Sequence, residues 1–289
     1  MKKWTSLLFI MVLFFAAIPV EAKGTEVYIA LGDSLAAGQT PDQAIDVGYT
    51  DLIAQELQRS GRLAFFSKAL SFPGYTTANV LESIQTDEAK EMLKNATLVT
   101  VSAGANDLLR LIQVKPTEGT VSYQQITADY ALNGVRKNME IIVKSIKELA
   151  PKAEIYIMGY YDAYPYVRES QKHGVQKELD ILHTILRNQA EAHGATYIPV
   201  EEAFEGKEKE LLPSISDVHP NLEGYRLMAN SFFTRYDSSL FVKSGELPAP
   251  NPLTFEEIIK ARQSSEDDDN VASSSFEGYY SLTELKTFI

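Results

Sequence analysis

Cysteine is absent from this 289-residue chain, tryptophan occurs once and histidine only four times. The lack of cysteine excludes disulfides, thiolate metal sites, a thiol nucleophile and a lipidated N-terminal cysteine. Positive charge is also scarce: 27 Lys and Arg face 39 Asp and Glu, a net charge of −12 at pH 7. Such a chain does not offer the broad basic face that grips a nucleic-acid backbone, nor a purely electrostatic hold on anionic lipid. Internal repeats are not evident. What remains is an ordinary globular composition, 45% hydrophobic and 23% charged, enough for one large core.

The N-terminus has the layout of a secretory signal over residues 1–22. Lys2 and Lys3 form a positive start, Leu7 to Ile18 is an unbroken apolar run of 12 residues, and Val20-Glu21-Ala22 offers a small-residue cleavage site. The run falls short of the ~20 residues of a membrane span. Secretion into the extracellular space is therefore expected, with an uncleaved N-terminal membrane anchor as the alternative. Loss of residues 1–22 leaves 25 basic and 38 acidic residues, a net charge of −13.

Beyond it, buried strands alternate with helices. Val27 to Leu31, Leu63 to Leu70, Leu98 to Ser102, Ile155 to Gly159 and Ala195 to Val200 read as strands. Between them lie helical patterns at about Tyr49 to Leu57, closed by Gly61; Thr77 to Ile84; Asn133 to Ala150; and Val175 to His193, closed by Gly194. A last helix carries Tyr225, Met228, Phe232 and Tyr236. Each crossover is long enough to hold a helix, so the expected fold class is α/β, with a five-stranded parallel sheet covered on both faces.

From Ser244 the character changes. Residues 244–289 hold 9 acidic and 3 basic residues, and Ala249-Pro250-Asn251-Pro252 reads as a linker. The expected organisation is a signal at 1–22, one domain at 23–243, and an acidic, partly disordered tail at 244–289. Thr254 with Glu257, and Ser281 with Glu284, match capping boxes for two short helices in that tail.

The chemistry gathers at strand ends. The first strand stops abruptly at Gly32-Asp33-Ser34-Leu35, and in open α/β sheets ligands bind at the C-terminal ends of strands. Ser34 reads as a nucleophile, which needs a base to take its proton and a cradle for an oxyanion. Gly74 follows the second strand, Gly104-Ala105-Asn106-Asp107 the third, and Asp217-Val218-His219-Pro220 comes beyond the fifth. These four blocks, in this order over about residues 25–238, resemble the SGNH, or GDSL-type, hydrolases. The resemblance implies a three-layer, flavodoxin-like α/β/α fold and the cleavage of carboxylic esters through an acyl-serine. It implies Ser34 as nucleophile and His219 as base. It also implies an oxyanion hole made by the backbone N–H groups of Ser34 and Gly74 and by the Asn106 amide.

One departure stands out. The family's acid usually lies three residues before its histidine, where this chain has Ser216; Asp217 lies two before. Either Asp217 completes a triad, or the Ser216 carbonyl holds the ring and leaves a dyad. The G-x-S-x-G elbow of the larger α/β-hydrolases fails at Ala36. Asp33 is expected to bond loop amides and Asp107 to cap the helix after it. Of the other histidines, His183 and His193 read as structural, while His173 lies in a tyrosine-rich loop within reach of a substrate. Tyr160, Tyr161, Tyr164 and Tyr166 would suit an acyl chain or a sugar ring. No metal and no cofactor are expected.

The function expected is a secreted serine esterase or lipase acting on small-molecule, lipid or glycan esters, with transient contact to membrane or cell wall. A carbohydrate or cell-wall O-deacetylase of the same fold is the alternative. A non-catalytic surface binding protein is the reading from another class.

Overall fold

The strand that ends at Gly32, β1 (Glu26–Gly32), is buried almost throughout because it has a parallel partner on each side. The computed structural model describes residues 24–250 and Glu257. In chain order the strands are β1, β2 (Leu63–Ser71), β3 (Leu98–Ser102), β4 (Gln113–Lys115), β5 (Thr120–Ser122), β6 (Glu154–Met158) and β7 (Thr196–Ile198). Five of them form one parallel sheet in the order β2-β1-β3-β6-β7. The order reverses at β1, between β2 and β3. That is the switch point of a flavodoxin-like sheet, where a crevice opens at the strand ends.

The helices are α1 (Ser34–Ala37), α2 (Tyr49–Arg59), α3 (Thr77–Ser83), α4 (Asp87–Lys94), α5 (Ala105–Leu109), α6 (Gln125–Leu149), α7 (Glu169–Ala192), α8 (Glu201–Phe204), α9 (Glu208–Leu211) and α10 (Leu222–Tyr236). α2 packs on α10 in one layer, and α3, α4 and α7 pack around α6 in another, giving the expected α/β/α arrangement. The stripe Val135, Met139, Ile142 and Ile146 of α6 is fully buried, as its helical spacing requires.

Two helices begin earlier than their patterns suggest: α6 at Gln125 rather than about Asn133, and α7 at Glu169 rather than about Val175. Each passes through a glycine, Gly134 or Gly174. An interior glycine costs about 1 kcal/mol, which tertiary packing overrides. The hairpin of β4 and β5, joined by a single 3₁₀ turn at Pro116–Glu118, has strands of three residues, too short to leave an alternating pattern.

A buried ion pair sets the loop that follows α1. Lys68 Nζ, on β2, donates to Asp51 Oδ2 at 2.7 Å and to the carbonyls of Ala37 and Asp46 at 3.1 and 3.3 Å. Asp51 Oδ2 also accepts the Gly48 N–H at 2.8 Å, closing the start of α2. Desolvating two charges is compensated only when such further hydrogen bonds are present.

At the other end, Ser244–Glu246 form a 3₁₀ turn, Glu246 pairs with Lys243 and Arg59, and Leu247 packs on the core. These contacts carry the packed chain past the expected boundary at Lys243. The expected signal at 1–22 and the two short tail helices lie outside the described residues, save Glu257.

Candidate active site

Ser34 is held by the way β1 ends. Gly32 has φ +144°, and a Cβ there would lie 2.1 Å from the Ser102 carbonyl oxygen, so only glycine fits. The Asp33 N–H then donates to that same carbonyl at 2.9 Å. The buried Asp33 carboxylate caps α1: Oδ1 accepts from Leu35 N at 3.0 Å and from Ser102 Oγ at 2.9 Å. Its Oδ2 accepts from the Tyr160 hydroxyl at 2.7 Å. Asp33 thus has a structural role, but the amide it bonds lies in the first turn of α1 rather than in a loop, and it also ties together β1, β3 and the segment after β6. Burial pushes the Asp33 carboxyl above its ordinary range, against the lowering effect of its donors. Burial, with the Asp33 charge beside it, pushes the Tyr160 hydroxyl well up.

His219 comes to Ser34 from a loop anchored at several points. The Tyr161 hydroxyl donates to the Val218 carbonyl at 2.8 Å, and the Asn221 N–H to the Leu211 carbonyl at 2.8 Å. Asn221 Oδ1 caps α10 by accepting from Gly224 N at 3.0 Å. The imidazole, nine-tenths buried, places Nε2 2.7 Å from Ser34 Oγ and Nδ1 2.7 Å from Asp217 Oδ1. An ionised carboxylate only accepts, so it assigns the ring proton to Nδ1 and leaves Nε2 to accept from the serine hydroxyl. Asp217 Oδ1 also accepts the backbone N–H of His219 at 2.8 Å. This local turn lets an acid only two residues ahead meet both the amide and the ring. Ser216 is exposed, with its hydroxyl against Ser214.

Of the three expected oxyanion donors, Ser34 and Asn106 line the same cleft. Ser34 is the first residue of α1, so its N–H has no partner within the helix. Asn106 Nδ2 donates one hydrogen to the Tyr75 carbonyl at 3.0 Å, which fixes the amide and leaves its second hydrogen for another acceptor. Gly74, φ +82°, occupies the third place of a turn closed by Tyr75 N to Phe72 O at 3.1 Å. Pro73 before it suits that turn, whose third residue requires a positive φ. The structure brings Ser34, Asn106, Asp217 and His219 together. Gly74 joins them through its neighbour Tyr75 and does not itself line the cleft.

That cleft is mostly apolar. It opens at Ser34, Asn106 and His219 and runs along Leu108, Leu109 and Ile112 to α7, where Leu179 and Leu182 form a wall. Tyr160, Tyr161 and Tyr164 line it as the sequence suggested, with the hydroxyls of the first two turned to Asp33 and Val218. The hydroxyl of Tyr166 turns elsewhere, to the carbonyls of Lys209 and Leu212. Sequence reasoning missed the leucine-rich run after Asn106 as cleft lining, and it missed Tyr160 as the partner of Asp33. The first had a signal in its composition; the second, at 127 residues' separation, had none.

Asp107 differs from its expected role. It lies inside α5 and accepts from the N–H and hydroxyl of Thr77, at 2.9 and 2.8 Å, so it caps α3 rather than the helix after it. His173 is exposed on α7 and is not among the residues that line the cleft. His193 ends α7. His183 Nε2 accepts from the Tyr160 N–H at 3.3 Å, and burial lowers its basicity despite Glu201 nearby. Among the described residues, Asp180, His183 and Glu201 are the one group whose ligand atoms gather within 4.8 Å. The Gln176 amide already donates to both of those acids, and Nδ1 of His183 faces Glu201 at 3.3 Å.

The sequence model of the GDSL-like lipase/acylhydrolase family matches residues 30–227, more than half of the chain. The chain belongs to this family. It is accordingly a serine ester hydrolase of the carboxylic ester class. The spore germination lipase LipC of Bacillus licheniformis is 25% identical over 211 residues, covering 70% of this chain and 92% of LipC. Among solved structures, the lipase Lip_vut3 from a goat rumen metagenome superposes with a TM-score of 0.61 at 22% identity, covering 72% of this chain and 95% of that one. Axe2, an acetylxylan esterase from Geobacillus stearothermophilus, gives a TM-score of 0.57 at 18% identity, covering 74% and 96%. These two likenesses establish the fold. Among the described residues no helix is long and apolar enough to cross a membrane.

The raised Asp33 carboxyl makes a prediction for stability. A carboxyl whose folded pKa exceeds its unfolded value contributes most when protonated, and that contribution is lost as pH rises through the folded pKa. The stability of the wild type relative to Asp33→Asn is expected to fall as pH rises from the ordinary aspartate range, then to level off. Urea melts of both proteins across pH 3 to 8 check this; a difference that rises with pH would contradict it.

Proposed function

We propose that the protein is an exported esterase or lipase in which Ser34 is the nucleophile, His219 the general base and Asp217 the carboxylate that orients the imidazole. The observation that carries this reading is the relay from Asp217 Oδ1 through the imidazole to Ser34 Oγ, with 2.7 Å at each link. Ser34 Oγ attacks the ester carbonyl carbon while its proton passes to His219 Nε2. The carbonyl oxygen gains a negative charge, for which the Ser34 N–H and the Asn106 amide are the donors in the cleft, while the Gly74 N–H is a third donor on the family resemblance alone. One such donor is typically worth ~10²–10³ in rate. Collapse breaks the bond to the leaving alkoxide, which takes the proton from Nε2. Water then attacks the acyl-serine, giving its proton to His219, and the carboxylic acid leaves as Ser34 Oγ recovers that proton.

The apolar cleft beside Ser34 favours an acyl group longer than acetyl. This supports a lipase or esterase over a carbohydrate O-deacetylase, and the lipase relative agrees with it. A non-catalytic binding role would give no reason for the relay. Export rests on Lys2, Lys3, the apolar run and the Ala22 site; the acidic tail expected at 244–289 is taken as dispensable beyond Leu247, which packs on the core.

Three outcomes are expected. A folded Asp217→Asn variant should lose kcat by about 10⁴, as an equivalent change does in serine proteases. A near-native kcat in that variant, with an unchanged melting temperature, would remove Asp217 from the triad. Across p-nitrophenyl esters from acetyl to palmitoyl, kcat/KM should rise beyond acetyl, and acetylated glycans should be poor substrates. The opposite order would favour the deacetylase. N-terminal sequencing of the extracellular enzyme should begin at Lys23, whereas an intact Met1 in the membrane fraction would establish an anchor.

A further inference from the structure

Next to Asn106 stands a buried carboxylate that the proposed reaction does not use. Asp107 follows it on α5, is 4% exposed, and is not among the residues that line the cleft. One residue takes up both of its oxygens. Oδ2 accepts the N–H of Thr77 at 2.9 Å and Oδ1 its hydroxyl at 2.8 Å. Thr77 is the fully buried first residue of α3. Its hydroxyl has one proton, given to Asp107, and accepts in turn from Asn138 Nδ2 on α6 at 2.9 Å. A chain of hydrogen bonds therefore joins α5, the start of α3 and α6.

The helix does not need this carboxylate in order to begin. Thr76 already caps α3, accepting from Asn79 N through its own hydroxyl, and Asn79 Oδ1 accepts the Thr76 N–H in return. Burying a charge is a costly way to add a second cap. What Asp107 adds is a tie between residues 30 apart in the chain. Two neighbours on α5 thus grip one short segment: Asn106 Nδ2 donates to the Tyr75 carbonyl at 3.0 Å, and Asp107 holds Thr77 two residues on. The segment is open at Gly74, where an added Cβ would meet nothing within 4 Å. A carboxamide is planar, so the bond to Tyr75 also sets where the second hydrogen of Asn106 points. A shift of the Tyr75 carbonyl turns that hydrogen with it.

Resting on the serine-esterase reading above, we propose that Asp107 is a positioning residue for the oxyanion hole. Through Thr77 it fixes the Tyr75 carbonyl, and through that carbonyl the Asn106 amide. It touches no substrate. It acts on the rate by keeping the free amide hydrogen aimed at the oxygen on which charge develops, where a misplacement of about 1 Å can cost ~10²-fold. The simpler alternative is that Asp107 only stabilises the start of α3.

A double-mutant cycle separates the two. Asn106→Ala, Asp107→Ala and the double variant are assayed on p-nitrophenyl octanoate, with active sites counted by fluorophosphonate titration and melting temperatures measured. Asn106→Ala should lower kcat by ~10²–10³. Asp107→Ala should lower kcat by ~10²-fold with KM unchanged. The double variant should lose no more than Asn106→Ala alone, because two changes that act through one group are not additive. Asp107→Asn, which can still accept the Thr77 N–H, should recover most of the loss. Should Asp107→Ala fail to fold, Thr77→Val keeps the backbone N–H and the shape, and its loss of kcat should likewise vanish in the Asn106→Ala background. A double variant whose loss is the product of the single losses overturns the proposal. So does an Asp107→Ala enzyme with a lower melting temperature and wild-type kcat per active site. A wild type that turns over no ester and takes no fluorophosphonate on Ser34 overturns the serine-esterase reading and this proposal with it, a result distinct from an active enzyme with an additive cycle.

Discussion

The site depends on one buried carboxylate placed at the end of the central strand. Asp33 accepts from Leu35, Ser102 and Tyr160, which belong to α1, β3 and the segment after β6. The bond to Leu35 fixes the first turn of α1 and hence the place of Ser34. The other two lock that turn to the end of β3 and to the segment that follows β6. Burying a carboxylate is costly unless its lone pairs are satisfied, so the three donors and the charge require one another.

From that anchor the geometry follows outward. The close approach of Gly32 to Ser102 brings the ends of β1 and β3 together, which sets Ser34 beside Asn106. Asn106 in turn holds the Tyr75 carbonyl, and so the turn that contains Gly74. His219 arrives on a loop tied by Tyr161 and Asn221. Donors set in advance need not reorganise when charge develops on a reacting oxygen, which is where most electrostatic catalysis originates. The apolar walls make those dipoles more effective by excluding water.

Much of this was legible in the chain. β-branched runs such as Leu98 to Ser102 marked the strands because a parallel strand is buried on both faces and needs no alternation. The stripe of α6 marked its buried face. Less legible were the starts of α6 and α7, where interior glycines interrupt the pattern but packing holds the helix. The β4–β5 hairpin was also hidden, since three-residue strands are too short for any periodicity. Asp107 illustrates a different limit: an aspartate at a strand end signals a cap, but which helix it caps is a matter of three-dimensional neighbours.

The sequence by itself determined the order of the blocks at Ser34, Gly74, Asn106 and His219 and the parallel α/β class. Residue spacing and apolar periodicity are local properties, and the strand-end rule converts them into a shared edge. Tertiary structure alone decided which group meets Nδ1 of His219, because a spacing of two residues leaves both Asp217 and the Ser216 carbonyl within reach until the loop is folded. It alone also decided that Tyr160 bonds Asp33. That bond depends on the distance between segments far apart in the chain, and no local pattern encodes it.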